Sequence, residues 1–221
     1  FDVAAEGATT PTTDEVYLSL GTAFGSATIG QFDGFMANVS DATIDMFEGR
    51  GQDVTNANTN ANQLSYVTPN FSGFSFGVQS TNDGATGKDH SDEMAYMGMF
   101  SGAGLTVAVA YVDDKVNDLD NTFIGGAYDF GDFSINGGWE DTTDNRDVWT
   151  IGGTMTAGNN TLLAGYQDAE DDYGMYTIEG QHAFSKRTKI YANYQLVDAD
   201  SASVNGTVDS DVLGVGLRHD F

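Results

Sequence analysis

The chain has 221 residues, enough for one domain, and its 33 acidic against 8 basic side chains leave a formal net charge of −25, which repels nucleic acid. It has no cysteine, so a disulfide framework and a thiolate metal site are excluded. The longest apolar run, Leu105 to Val112, is far short of the roughly 20 residues a membrane-crossing helix needs, while an aromatic content of 12% is too high for a disordered acidic chain.

Read from the N-terminal end, the sequence alternates apolar and polar residues with period two and predicts about thirteen strands. EVYLSLGTAFGSATIGQF gives strands 15–22 and 25–32 around a turn at Thr22 to Gly25. Thirty residues from Asp33 to Asn62 then break the rhythm, a length that in a compact domain marks a functional loop. Strands come next at 63–71 and 74–82 around Pro69 to Gly73, and at 94–102 and 105–114 around Ser101 to Gly104. Strands 121–130 and 133–142 turn at Phe130 to Asp132, and strands 147–157 and 160–169 at Ala157 to Asn160. Strands 175–185 and 189–198 turn at Ser185 to Thr188, and the last strand is 210–221. No amphipathic helix of convincing length competes.

Turn length alternates in this reading between tight and long. The long connections, such as STNDGATGKDHSDE and DAEDDYG, are acidic. Tight turns on one side and long loops on the other are the pattern of a transmembrane β-barrel. Aromatics near strand ends (Tyr111, Tyr128, Phe130, Phe133, Trp139, Phe184, Tyr191 and Tyr194) suit interfacial girdles. A soluble sandwich would instead bury its apolar faces between two layers. In the last strand Leu213, Val215, Leu217, His219 and Phe221 share one face and Gly214, Gly216, Arg218 and Asp220 the other. The expectation is therefore all-β: lipid against the apolar rows, water against the polar ones.

The residues also carry a resemblance. EVYLSLGTAFGSATIGQFD, QLSYVTPNFSGFSFGVQ, GAYDFGDFSINGGWE, HAFSKRTKIYANYQL and the terminal VGLRHDF resemble successive hairpins of the general diffusion porins of Gram-negative outer membranes, the sixteen-stranded, homotrimeric kind. The resemblance covers nearly the whole chain. It implies a single barrel domain over 1–221, with 33–62 as a loop folded inward to constrict the lumen. The first hairpin resembles the family's fourth and fifth strands, so three strands are expected ahead of Phe1. The resemblance also implies that Phe221 serves as the C-terminal signal read by the barrel assembly machinery, and that the barrel sits among outer-membrane lipid and lipopolysaccharide.

The function implied by this resemblance is a passive channel for ions and small hydrophilic solutes. Asp33, Asp41, Asp45, Glu48 and Asp53, with Arg50 as the one base of the loop, are the expected constriction residues; Arg218, Glu140 and Glu179 are expected on the lumen wall. Carboxylates in a narrow pore favour cations over anions. A substrate-specific channel or a non-channel structural barrel remain the alternatives. No enzyme is expected: His90, His182 and His219 are scattered and no nucleophile–base arrangement is visible. No cofactor is expected either, beyond a weak Ca²⁺ site at Asp168, Glu170, Asp171 and Asp172, whose oxygens suit a hard cation but match no EF-hand spacing.

Overall fold

The computed structural model describes residues 15–51, 59–82, 92–115, 118–141, 147–199 and 208–221. It holds thirteen strands: β1 (Val16–Thr22), β2 (Gly25–Asp33), β3 (Thr59–Val67), β4 (Phe74–Thr81), β5 (Glu93–Gly102), β6 (Leu105–Asp114), β7 (Leu119–Asp129), β8 (Phe133–Asp141), β9 (Asp147–Ala157), β10 (Asn160–Ala169), β11 (Tyr173–Ser185), β12 (Thr188–Ala199) and β13 (Ser210–His219). All belong to one antiparallel sheet whose spatial order is the chain order, β1 through β13. Among the described residues no ladder joins β1 to β13.

The alternation sorts the side chains as expected. Val107, Val109 and Tyr111 stand exposed on one face of β6 while Ala108 and Ala110 are buried on the other. The same split runs through β13, where Leu213 and Val215 are exposed. Among the described residues no second sheet covers this bare face, so the sandwich alternative fails: its apolar rows would have to be dry.

The tight turns fall where the sequence puts them, and their backbone shows why. Ala103 and Gly104 join β5 to β6 with φ of 52° and 80°, a two-residue turn whose twist matches the flanking strands. Alternation of turn length is less strict than expected. β6 and β7 are joined by 115–118, and β10 and β11 by 170–172, because the strands extend into their acidic flanks. β3 also differs from expectation. It starts at Thr59, where β2 recruits it through Phe32↔Asn60 and Asp33↔Thr59, and it stops at Val67. Pro69 has no N–H to continue the ladder.

The largest departure is α1 (Phe35–Thr43), a helix inside what reads as a long loop. Its sequence advertises little: Gly34 precedes it without a capping side chain, its first turn has no acid and its last no base. Nine residues are too few to hold a helix in water alone. Packing holds it instead. Phe35, Met36 and Val39, with Ile44 just beyond, bury themselves against Ala95, Ala108, Ala110 and Phe123 of β5, β6 and β7. Each such side chain contributes about 2 kcal/mol on burial. The wall is shaped for them: the Phe35 ring stands where a Cβ on Gly77 would have to be, 2.6 Å from the nearest ring carbon. Phe35→Ala is expected to cost the docked helix about 3 kcal/mol, read as faster proteolysis within 34–50 while the barrel itself stays folded.

Candidate functional site

Residues 34–50 lie across the covered face of the sheet. An irregular backbone packed on a sheet must have its N–H and C=O groups met by someone, and here the wall meets them. Gln79 of β4 accepts the Phe35 N–H at 3.1 Å, supplying the cap that Gly34 lacks. Asn136 of β8 donates to the Ile44 carbonyl at 3.1 Å. Met46 occupies the space a side chain at Gly152 of β9 would need.

The tip of the segment is held by one carboxylate. Glu179 of β11, fully buried, accepts the Glu48 N–H on Oε1 at 3.1 Å and the Gly49 N–H on Oε2 at 3.0 Å. Gln181 donates to the first oxygen at 2.7 Å and Asn193 of β12 to the second at 3.2 Å. Asn193 also donates to the Arg50 carbonyl at 2.8 Å. A buried carboxylate that accepts four N–H bonds needs no countercharge of its own.

Glu48 reaches past this latch to the next two strands. The Lys189 ammonium donates to Oε1, and Arg218 Nη1 lies 3.0 Å from Oε2 and 3.2 Å from Oε1. Lys189 and Arg218 are direct cross-strand partners in the β12–β13 ladder. Two cations so placed repel, and Glu48 between them removes the penalty. Arg218 makes a further bond to Asp220, 3.0 Å from Nε to Oδ1. Burial alone would raise the Glu48 carboxyl, but hydrogen bonds and charge from Lys189 and Arg218 outweigh it and hold the group below its ordinary value of 4.5. A depressed folded value means the tie is fully present above the ordinary value and is lost as the pH falls through the lower folded one. The reversal potential in a salt gradient should therefore start to move towards the anion side only below pH 4.5, read from recordings taken at falling pH.

The other expected residues are more dispersed. Asp33 ends β2 half-buried, its carbonyl accepting from Asn38 at 3.0 Å. Asp41 and Asp45 are exposed on and just after α1, and Arg50 is exposed at the end of the docked segment. Asp53 lies outside the described residues, as does His90. Glu140 is buried on the covered face of β8. Phe221, past the end of β13, is fully exposed. Asp168 accepts from the Tyr166 hydroxyl at 2.7 Å and Asp172 is buried, with Glu170 and Asp171 exposed in the turn between them. Among the described residues no three acidic or histidine side chains are placed to hold a metal ion, so the expected calcium ligands are not brought together. Tyr191 is a correction: it lies on the covered face over Gly216, not in an outer girdle, because it shares parity with Lys189 and Asn193.

Sequence reasoning missed Lys189, Asn193, Gln79 and Asn136. Strand parity could have placed all four on the covered face. Their register with the loop had no sequence signal.

Over residues 1–202 the sequence matches the family described as Gram-negative porin. The chain belongs to the Gram-negative porin family. As a porin it lies in the outer membrane of a Gram-negative bacterium and forms a transmembrane β-barrel channel, so the bare face meets lipid and the face carrying α1 lines the lumen. The anion-selective porin from Comamonas acidovorans has a similar fold, with a TM-score of 0.69 and 20% identity over 93% of this chain and 77% of that one. OmpF of Salmonella typhi, in complex with daunomycin, gives a TM-score of 0.72 at 16% identity over 90% of this chain and 75% of that one. The trimer form of OmpT, an outer membrane protein of Vibrio cholerae, gives 0.66 at 18% identity over 92% of this chain and 79% of that one. No curated protein matches the sequence. At these identities the solved structures speak for the fold; what this porin lets through depends on its own side chains.

Proposed function

We propose that this porin is a water-filled, cation-preferring channel for passive diffusion of ions and small hydrophilic solutes, with the 34–58 connection between β2 and β3 as the constriction loop and three copies in the working assembly. The observation that carries the selectivity is the state of the basic side chains. Among the described residues Lys189 and Arg218 are the only Lys or Arg on strands, and both are engaged by Glu48. That leaves little positive charge to attract anions along the wall, while Asp33, Asp41 and Asp45 stand on or beside the loop and the whole chain carries −25. A low-dielectric wall focuses such a field into the aqueous gap. The Comamonas porin is described as anion-selective, so the shared barrel does not decide the sign of selectivity; the charges placed in it do. Trimerisation draws on the trimer form of the Vibrio protein.

The test is a planar bilayer recording across a potassium chloride gradient. A reversal potential on the cation side, with insertions closing in three equal steps, is the expected result. A potential at zero or on the anion side refutes the selectivity, and single-step closure refutes the trimer.

A further inference from the structure

The lipid-facing side of the sheet is not evenly studded. In one hydrogen-bonded row across β6 to β9 the order is Val107, Gly126, Gly137, Ile151, large then small, small then large. One row towards the long loops, Trp139 and Trp149 are paired, their rings 6.1 Å apart. One row towards the tight turns, Tyr128 stands opposite Ile135. The two glycines therefore floor an apolar hollow of about 990 Å³ whose rim is made of large side chains. Gly126 is not forced by packing: a Cβ there meets nothing closer than 3.5 Å. The pattern recurs in the row across β10 to β13, as Leu162, Gly180, Ala192, Val215, and a Cβ on Gly180 would meet nothing within 4 Å. Both hollows lie towards the tight-turn ends of their strands, on the side of the 130–132 and 186–187 turns.

We infer that the Gly126–Gly137 hollow is a seat for an acyl chain of a phospholipid from the leaflet on the tight-turn side. Three observations identify the occupant. The face meets hydrocarbon, and a hollow there that neither side chains nor lipid filled would forfeit dispersion contacts along its lining. The volume exceeds what one or two side chains projecting from a neighbouring barrel could fill. A heterologous contact between copies needs a projection to enter a recess, and the second such row, four strands away, is also a recess, so these two rows do not fit one another. The bare floor lets a chain approach the backbone more closely than at any neighbouring row, so a lipid here is held longer than the annular lipids around it.

The chain supplies its own reporter, because its two tryptophans are both on this rim. The full-length porin is reconstituted in phosphatidylcholine vesicles doped with increasing fractions of phosphatidylcholine brominated near mid-chain, and tryptophan quenching is monitored. In the unaltered protein quenching should rise steeply and saturate at a low brominated fraction. Gly126→Leu fills the hollow and should remove half or more of that early component. Gly180→Leu, remote from both tryptophans, should leave the curve as it was. A quenching curve that tracks the bulk brominated fraction, or one that Gly126→Leu does not change, overturns the proposal. So does quenching absent in the assembled protein that emerges once its subunits are separated, because that places a second copy in the hollow. Should Gly126→Leu fail to fold, moving the bromines along the acyl chain in the unaltered protein decides the matter: a seated chain gives one position of maximal quenching, and a flat dependence on position overturns the seat.

Discussion

Glu48→Gln is expected to turn the channel towards anions. The substitution keeps the side chain's shape but leaves Lys189 and Arg218 facing each other across the β12–β13 ladder with no carboxylate between them. Two unit charges about 4 Å apart interact by roughly 1 kcal/mol in water and by several times that at the lower effective dielectric of a protein surface. A shift of about 1 kcal/mol in the energy of a passing ion changes the permeability ratio about fivefold. The reversal potential in a salt gradient should therefore move towards the anion side by an amount corresponding to a several-fold fall in the cation-to-anion ratio. Lys189→Gln should move it the other way, since Glu48 then answers one cation instead of two. If both variants keep the potential of the unaltered protein, this triad does not set selectivity. Raised ionic strength should shrink both effects, because the lumen is wet and the charges are screened.

Glu179→Ala is expected to free the loop tip without unfolding the barrel. The lost carboxylate is the acceptor for the N–H groups of Glu48 and Gly49, and it also satisfies Asn193 and Gln181. Leaving a buried donor unpaired costs about 1–3 kcal/mol; with two main-chain donors orphaned, the docked tip loses about 3 kcal/mol or more unless it moves into water. Movement is the less costly outcome, so single-channel current should become larger and noisier, and protease should cut near 48–50. Glu179→Gln keeps one oxygen acceptor and should lie between. A quiet current of unaltered size in Glu179→Ala would show that α1 and Met46 fix the loop without the latch.

These two carboxylates have separable roles. Glu48 acts through its side chain on the electrostatics of the wall, and Glu179 acts on the main chain of Glu48. One variant should change ion preference at constant conductance, and the other conductance first.

The same division explains which parts of the fold were legible. The strands could be read because each is a local pattern. Ile124 and Trp139 point one way and Phe123 and Glu140 the other for reasons internal to a few residues, and turns such as Ala103–Gly104 carry their own backbone chemistry. α1 could not be read, because nine residues with no cap and no charge bias have no local reason to be helical. Their reason is the shelf of Ala95, Ala108, Ala110 and Gly77 on strands far along the chain. Among the expected site residues, Glu48 of the constriction and Arg218 of the lumen wall are brought together, whereas Lys189 went unseen. The 200–209 connection that separates β12 from β13 sets no register from sequence.

By itself, then, the sequence determined thirteen antiparallel strands, their two unlike faces and an acidic loop between the second and third. All of these are written in spacings of two residues and in turn chemistry. Only the tertiary structure decided which carboxylate latches the loop, which one answers the wall's cations, and where the lipid face is hollow. Those depend on which residues stand side by side across hydrogen-bonded strands, and side-by-side placement is a property of register, which long connections leave free until the whole sheet has formed.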